Sequence, residues 1–348
     1  MKMKRLGKTG LMVSEVGMGG IPITRLGKKE AVKVIRGVID LGVNFIDTAH
    51  SYSDSEEKIG KAVEKIRYKV IIASKSGALD KKSFLKEFEL SLRRLKTDYI
   101  DIYQLHAVRE ANLEEIMGAG GAFEALLEVH KQGKARHIGF TTHNMDVALK
   151  LLEKEEFETI QIPVNFLEEN SFEKVISLAR KFDVGIIAMK PFAGGAIEDA
   201  KIAFRYLSQF EEIVPIPGVE SVEQMKEIIE IVENPSSLTL EDKEKMERIR
   251  KELGTSFCHG CDYCQPCPQG IPIGLVLRVE SLMRRFPFEV VMERFGDKIK
   301  KAKDCKECKK CLDKCPYNLP VPSLLKEKLA LFEESKRTFM KKRRRELI

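Results

Sequence analysis

Eight short apolar runs rich in β-branched residues alternate with amphipathic helical stretches over the first 235 or so residues of this 348-residue chain. The runs are EVGMGG (15–20), VNFID (43–47), KVIIAS (69–74), YIDIYQLH (99–106), ARHIGF (135–140), TIQIPV (159–164), VGIIAM (184–189) and EIVPIP (212–217). Between them, segments such as KKEAVKVIRGVIDLG, EEKIGKAVEKI, KKSFLKEFELSLRRL and AFEALLEVHKQG repeat their apolar residues every three or four positions, the period of a helix with one buried face. This alternation indicates an α/β fold, a parallel (β/α)8 TIM barrel. The preceding segment, KMKRLGKTGLMVSEV, reads as an N-terminal hairpin turning at Gly7 to Gly10 and suited to plug the barrel's lower mouth.

The pattern stops at NPSSLTLED (234–242), which breaks with Pro and Ser and then caps a charged helix. The expected organisation is a barrel over 1–235, a connecting helix over 236–253, a cysteine domain over 254–325 and a basic C-terminal helix or tail over 326–348. All eight cysteines lie in the third part, as Cys258-x2-Cys261-x2-Cys264-x2-Cys267-Pro268 and Cys305-x2-Cys308-x2-Cys311-x3-Cys315-Pro316. Disulfides need an oxidising compartment, and the opening MKMKRLGKTG has no apolar signal core, so a cytoplasmic protein is expected. Zinc usually takes two separate Cys-x2-Cys knuckles, and a longer run at this spacing would overcrowd a tetrahedral ion.

Three cysteines at x2 spacing with a fourth before proline resemble the ligand order of ferredoxins that bind 4Fe-4S clusters. The resemblance implies a small, mostly helical ferredoxin-like domain with two clusters and crossed ligation. Cys258, Cys261, Cys264 and Cys315 would hold one cluster, and Cys305, Cys308, Cys311 and Cys267 the other. The first run has x2 rather than x3 before its Cys-Pro, which leaves a single cluster as the alternative.

Charge is unevenly distributed. From Gly254 onward there are 21 Lys and Arg against 12 Asp and Glu, whereas residues 1–253 have 39 against 41. A basic domain invites nucleic acid, but two tetrathiolate clusters at about −2 each would cancel nearly half the excess. Aromatic residues are not interleaved with the basic ones as a single-strand binding platform requires. The run Lys341 to Arg345 reads as a solvated helix end. No apolar stretch reaches the eighteen or so residues of a membrane span. High Lys and Glu with no Trp match a thermophilic composition.

In a barrel of this type the active site lies at the C-terminal strand ends. Asp47 ends the second run, Tyr52 follows in its loop, Lys75 ends the third and His106 the fourth. Together they suit carbonyl reduction. Negative charge developing on the carbonyl oxygen needs a proton donor, and a phenol near pKa 10 donates readily only if a cation stabilises its phenolate. Lys75 supplies that cation, Asp47 holds and balances it, and His106 can orient and polarise the carbonyl oxygen.

At FIDTAHSY, the Lys75 strand end and QLH the chain resembles the aldo-keto reductase superfamily, and with its cysteine domain the branch carrying a C-terminal 4Fe-4S ferredoxin-type domain. The resemblance implies reduction of an aldehyde or ketone with NADP(H) or NAD(H), Tyr52 being the acid/base. The family's Ser-Asn pair for the nicotinamide carboxamide falls on Thr141 and Thr142, with His143 or Asn144 as substitutes. Gln161 matches its glutamine, and Met189 stands where a stacking aromatic is usual. IPGVESVEQ (216–224), with Pro217, Gly218, Ser221 and Gln224, matches the phosphate-binding loop and helix start, where free amides attract anions. An ordinary capped strand–helix turn would account for its Gly and Ser equally well. Glu220 lies where many members place basic residues for a 2′-phosphate, so NAD remains open.

Three functions stay open on sequence. The first is an NAD(P)H-dependent carbonyl reductase with structural or regulatory clusters. The second is an electron-transfer protein coupled to a redox partner such as ferredoxin, and the third a nicotinamide- or redox-sensing interaction protein. No flavin-binding motif stands between two-electron and one-electron chemistry. The loops 107–121 and 191–199, which would shape the specificity pocket, carry no sharp polar signature. Gly118 to Gly121 reads as a flexible entry to the next helix, since no Lys follows in Walker spacing.

Overall fold

The structure, a computed structural model, describes residues 1–154, 156–168, 172–254, 256–315 and 317–346; Pro316 of the second Cys-Pro lies outside the described residues. The chain divides into two compact units, Met1–Asp242 and Lys243–Ile348.

The first unit contains β1 (Met3–Arg5), β2 (Met12–Ser14), β3 (Met18–Gly19), β4 (Phe45–Asp47), β5 (Ile71–Ser76), β6 (Ile100–Val108), β7 (Ala135–Thr142), β8 (Thr159–Pro163), β9 (Gly185–Met189) and β10 (Ile213–Pro215). β1 and β2 form the antiparallel hairpin, turning through Gly7–Thr9. Each of the eight apolar runs supplies one of β3 to β10, which lie side by side in chain order, every neighbouring pair parallel. Backbone hydrogen bonds close the sheet: the Gly17 N–H donates to the Pro215 carbonyl at 2.9 Å and the Gly19 N–H to the Pro217 carbonyl at 2.8 Å. Gly19 also bridges Gly218 in parallel. Side chains would not fit this seam: a Cβ on Gly19 would stand 2.9 Å from the Ile216 carbonyl oxygen, and one on Gly218 2.6 Å from Pro22 Cγ.

The four helical segments form helices over Lys28–Asp40, Ser55–Val63, Lys81–Leu95 and Ala122–Lys131. Gly121 is the N-cap of the last, consistent with its expected place at a helix entry. The segment 107–121, expected as a loop, holds a further helix, Glu110–Met117, at whose start Asn112 Oδ1 accepts the Arg109 N–H at 2.8 Å and the Asn112 N–H donates to the Arg109 carbonyl at 3.1 Å.

Strand alternation gives the barrel an apolar floor and a polar mouth. Phe45, Ala73, Ile102, Ile187 and Val214 form one buried cluster with Leu6 and Val13 from the hairpin. The hairpin turn sits against the start of β9, where the Lys8 N–H donates to the Asp183 carbonyl at 2.5 Å. Gly7, at φ +52, approaches so closely that a Cβ would lie 2.2 Å from the Gly185 nitrogen. The hairpin thus plugs the end where the strands begin. Two residues further along their strands, Asp47, Lys75 and Gln104 replace Phe45, Ala73 and Ile102, and all three are buried.

Helices Ile273–Leu277, Val279–Arg285, Phe288–Lys300 and Val321–Glu346 dominate the second unit, which has no strand among the described residues. Its core joins Ile271, Ile273, Val276, Leu277, Leu319, Val321, Leu324 and Leu325, with cysteines of both runs packed against it. Of the basic run, Lys341, Lys342 and Arg343 are exposed, and the side chains of Arg344 and Arg345 lie outside the described residues. Among the described residues no helix is long and apolar enough to cross a membrane.

Truncating the plug tests its weight. Leu6→Ala should lower the barrel's unfolding free energy by about 2–5 kcal/mol, the usual cost of a buried leucine cavity, read from urea unfolding. A change below about 1 kcal/mol would show that the floor does not depend on the hairpin.

Candidate active site and cysteine cavities

Strand register places Asp47 beside Ala73 and Lys75 beside Gln104. Lys75 Nζ donates to Asp47 Oδ1 at 2.6 Å and to the Thr48 carbonyl at 2.5 Å. Both residues are buried, at 1% and 2% exposure respectively for Lys75 and Asp47, so each provides charge balance that the other cannot obtain from water. Burial pushes Lys75 below the ordinary lysine value and Asp47 above the ordinary carboxylate value; their mutual attraction opposes both shifts. A hydrogen bond from the Gln161 side chain also favours the Asp47 carboxylate.

Tyr52 is delivered by a tight turn. Beyond β4 the chain keeps pairing with β5, the Thr48 N–H donating to the Ala73 carbonyl at 2.8 Å and the His50 N–H to the Lys75 carbonyl at 3.0 Å. The Tyr52 N–H then donates to the Ala49 carbonyl and the Ser55 N–H to the Tyr52 carbonyl, both at 2.9 Å. This lays the phenol ring over the lysine, with Lys75 Nζ 5.4 Å from the ring centroid. His106 meets the same ring edge-on, centroids 5.6 Å apart at 77°. Ser51 Oγ lies 3.4 Å from His106 Nδ1. The four residues picked out in the sequence are therefore brought to one mouth.

His106 stands on an irregularity that the sequence did not announce. The β6–β7 register shifts between Leu105 and Val108, and Ala107 is left-handed at φ 55. Such bulges re-aim side chains next to sites. Two hydroxyls pin this one: Thr141 Oγ1 accepts the Ala107 N–H at 2.7 Å, and Thr142 Oγ1 donates to the Val108 carbonyl at 2.8 Å. Thr142 Oγ1 also accepts the Asn144 N–H at 3.0 Å. Asn144 Oδ1 caps the helix Met145–Leu152, accepting from Asp146 and Val147. The residues expected to hold a carboxamide are thus engaged with backbone.

Gln161 is different. Its Oε1 is buried with no hydrogen-bond partner among the described residues, as is Oε1 of Gln104, which the sequence reading passed over. The signal for Gln104 was its place two residues before His106 in the same inward row. Met189 lies half-buried beside the barrel's inner cluster. After β10, Ser221 Oγ accepts the Gln224 N–H at 3.2 Å and Gln224 Oε1 accepts the Ser221 N–H at 3.3 Å, a capping box for the helix Val222–Glu233; Gln224 Oε1 also accepts the Glu220 N–H at 2.7 Å. Ser221 caps as expected. Gly218 and Pro217 form the barrel seam. Glu220 is ion-paired with Arg25, from the loop after β3.

In the second unit the cysteines line two cavities. One is lined by Cys258, Cys261, Cys264 and Cys315 with His259, Tyr317 and Leu277. The other is lined by Cys267, Cys305, Cys308 and Cys311 together with Cys264. Burial pushes the Cys261 thiol up to about 11 and that of Cys264 to about 12, and neighbouring cysteines add to the shift. The thiols surround volumes instead of converging on a point: among the described residues no three His, Cys, Asp or Glu side chains are grouped to hold a single ion. Four sulfurs around a cavity fit a cubane.

Comparison with known proteins agrees with both halves. The model of the aldo/keto reductase family matches residues 15–203, and that of a 4Fe-4S dicluster domain matches residues 257–320. The chain belongs to the aldo/keto reductase family, a family of oxidoreductases, and carries a C-terminal 4Fe-4S dicluster domain. It is 29% identical over 214 residues to the uncharacterized oxidoreductase YqkF of Bacillus subtilis, spanning 57% of this chain and 67% of that protein. Methylglyoxal reductase DkgB of Escherichia coli O157:H7 is 30% identical over 196 residues, 53% of this chain and 70% of that one. Among solved structures, aldo-keto reductase AKR11C1 from Bacillus halodurans in its holo form has a TM-score of 0.61 at 24% identity, covering 72% of this chain and 96% of that chain. An aldo-keto reductase from Klebsiella pneumoniae in complex with NADPH has a TM-score of 0.59 at 23% identity, covering 71% and 94%.

The buried pair makes a stability prediction. Asp47→Asn leaves the Lys75 ammonium without its carboxylate and should cost about 3–5 kcal/mol in chemical unfolding. The double change Asp47→Asn with Lys75→Met should recover most of that. Equal losses in both variants would show that the pair is not coupled.

Proposed function

We propose that the barrel reduces a small aldehyde or ketone with a reduced nicotinamide, Tyr52 donating the proton. The observation that carries this reading is the buried Lys75–Asp47 pair lying under the Tyr52 ring with His106 against its edge. When bound, the nicotinamide supplies two electrons as a hydride to the carbonyl carbon. Tyr52 Oη gives its proton to the carbonyl oxygen, and the Lys75 ammonium favours the phenolate left behind. Asp47 keeps that ammonium charged and in place. His106, held by the pinned bulge, orients the carbonyl oxygen. Gln161 supports cofactor binding here, since its buried Oε1 is an open acceptor suited to a carboxamide N–H. Met189 offers an apolar face for the ring, and the 217–224 turn, with Pro217, Gly218, Ser221 and Gln224, lies at the helix start suited to phosphates.

NADPH is bound by a structural neighbour, and here the Glu220 carboxylate, suited to a ribose hydroxyl, is paired with Arg25, suited to a phosphate, so both NADPH and NADH belong in the assay. Cys258, Cys261, Cys264 and Cys315 would hold one 4Fe-4S cluster, and Cys267, Cys305, Cys308 and Cys311 a second, each able to take up one electron. The grouping of thiols around two cavities supports this crossed set. Thiolates kept reduced for clusters would suit a cytoplasmic protein.

Two measurements test the reading. Tyr52→Phe should lower carbonyl reduction by about 10²–10⁴-fold while nicotinamide binding persists. Unchanged turnover would remove Tyr52 from the mechanism. Because burial lowers the Lys75 value, kcat/KM should fall on the alkaline side before an ordinary lysine would titrate.

For the clusters, anaerobic protein should contain about eight iron atoms per chain. Cys267→Ser should disturb the EPR signal that Cys308→Ser disturbs, and leave the one sensitive to Cys261→Ser. The opposite pairing would rule out crossed ligation.

A further inference from the structure

The two cysteine cavities are wrapped by the same kind of backbone turn but have different linings. In each run the residues flanking the second cysteine are left-handed: Gly260 (φ 77) and Asp262 (φ 64) around Cys261, Glu307 (φ 50) and Lys309 (φ 63) around Cys308. The first cavity is flanked by aromatic rings. His259 stacks on Tyr317 with centroids 3.7 Å apart at 13°, and Phe257 meets His259 edge-on at 4.9 Å. Its run, Cys258–Cys267, has no Lys or Arg. The nearby Arg278 packs against the Gly260 turn and donates to the Gly274 carbonyl at 2.8 Å.

The second cavity has a thiol at the surface and a basic rim. Cys308 is exposed, whereas the other seven cysteines are partly buried. Lys306, Lys309 and Lys310 line this cavity and are exposed. Residues 300–315 hold seven lysines against three acids, and one of those, Glu307, is paired with Lys326. Balancing cluster charge does not explain the lysines. A tetrathiolate cluster of about −2 would sit in either cavity, and only one cavity has a basic rim.

We propose that the rim formed by Lys306, Lys309 and Lys310 around Cys308 is the docking surface for a small acidic electron-carrier protein. The proposal rests on reading the two cavities as cluster sites. A positive patch opposite a negative one raises the encounter rate and fixes orientation. Here it would set the partner's redox centre against the most exposed ligand. The lysines would also attract nucleic acid, but residues 305–315 contain no aromatic side chain on which bases could stack.

The test uses the full chain, iron-loaded and anaerobic, with an acidic plant-type 2Fe-2S ferredoxin as the probe in titration calorimetry. The rim variant K306E/K309E/K310E is compared with R337E/K341E/R343E, which makes the same charge change at exposed positions of the Val321–Glu346 helix. Wild type and the helix variant should bind alike, and the rim variant at least about tenfold more weakly. Raising salt from about 50 mM to about 500 mM should weaken wild-type binding. Iron content is read for every variant. If the charge reversal loses iron, the neutral K306Q/K309Q/K310Q variant replaces it and should still show reduced binding.

Equal losses in rim and helix variants, no binding of the probe, or tighter rim-dependent binding of single-stranded DNA would each overturn the proposal. Wild-type protein without iron would overturn the cluster reading and the docking surface with it. Iron present without rim-dependent binding would overturn the docking surface alone. Carbonyl turnover, which depends on Tyr52, is read separately.

Discussion

The barrel's mouth depends on a lysine ammonium kept out of water. Lys75 has a carboxylate and a backbone carbonyl within 2.6 Å, and 1% of its surface is exposed. Taking two charges out of water costs several kcal/mol per ion, and their attraction seldom returns more than that. The pair is therefore poorly explained as a source of stability. It makes sense as a fixed positive charge under a phenol. Its placement requires the whole barrel, because strand side chains alternate and a one-residue slip of β5 would turn Lys75 outward. Pairing with β4 on one side and β6 on the other holds that register.

His106 depends on a second device of the same kind. A regular β6 would continue its alternation past Leu105. The bulge breaks it, and Thr141 and Thr142 bind the backbone on the far side of the break. These two threonines have a structural consequence whatever a cofactor does with them. With Thr142 Oγ1 tied to the Val108 carbonyl and the Asn144 amide, Gln161 is left as the buried acceptor in this part of the mouth.

Much of this was legible in the sequence, for a local reason. β-branched runs and amphipathic periods mark strands and helices, and the residue that ends each run marks the barrel's mouth. Asp47, Lys75 and His106 follow from that, and Tyr52 from the loop that leaves the second run. The helix Glu110–Met117 was missed because the Arg109–Asn112 cap that starts it is not among the usual N-cap residues. The bulge at Ala107, the open Oε1 of Gln104 and the Arg25–Glu220 pair were not legible, since each depends on segments far apart in the chain. Ser221 and Gln224 show the opposite limit. Their types suited a phosphate loop and an ordinary helix cap alike, and the geometry observed is that of the cap.

The cysteine runs separate what a ligand set imposes from what it leaves free. Wrapping thiols around a cavity fixes the backbone, so the same left-handed positions recur on either side of Cys261 and Cys308. In the first run Gly260 takes one of them without strain, and a Cβ there would lie 2.5 Å from Arg278. In the second, Glu307 takes it at a cost of about 1–2 kcal/mol, offset in part by its ion pair with Lys326. A glycine would have made the same turn more cheaply. The second run instead keeps long charged side chains at the tip of its loop, and its turn is shaped as much by what faces solvent as by what faces the thiols.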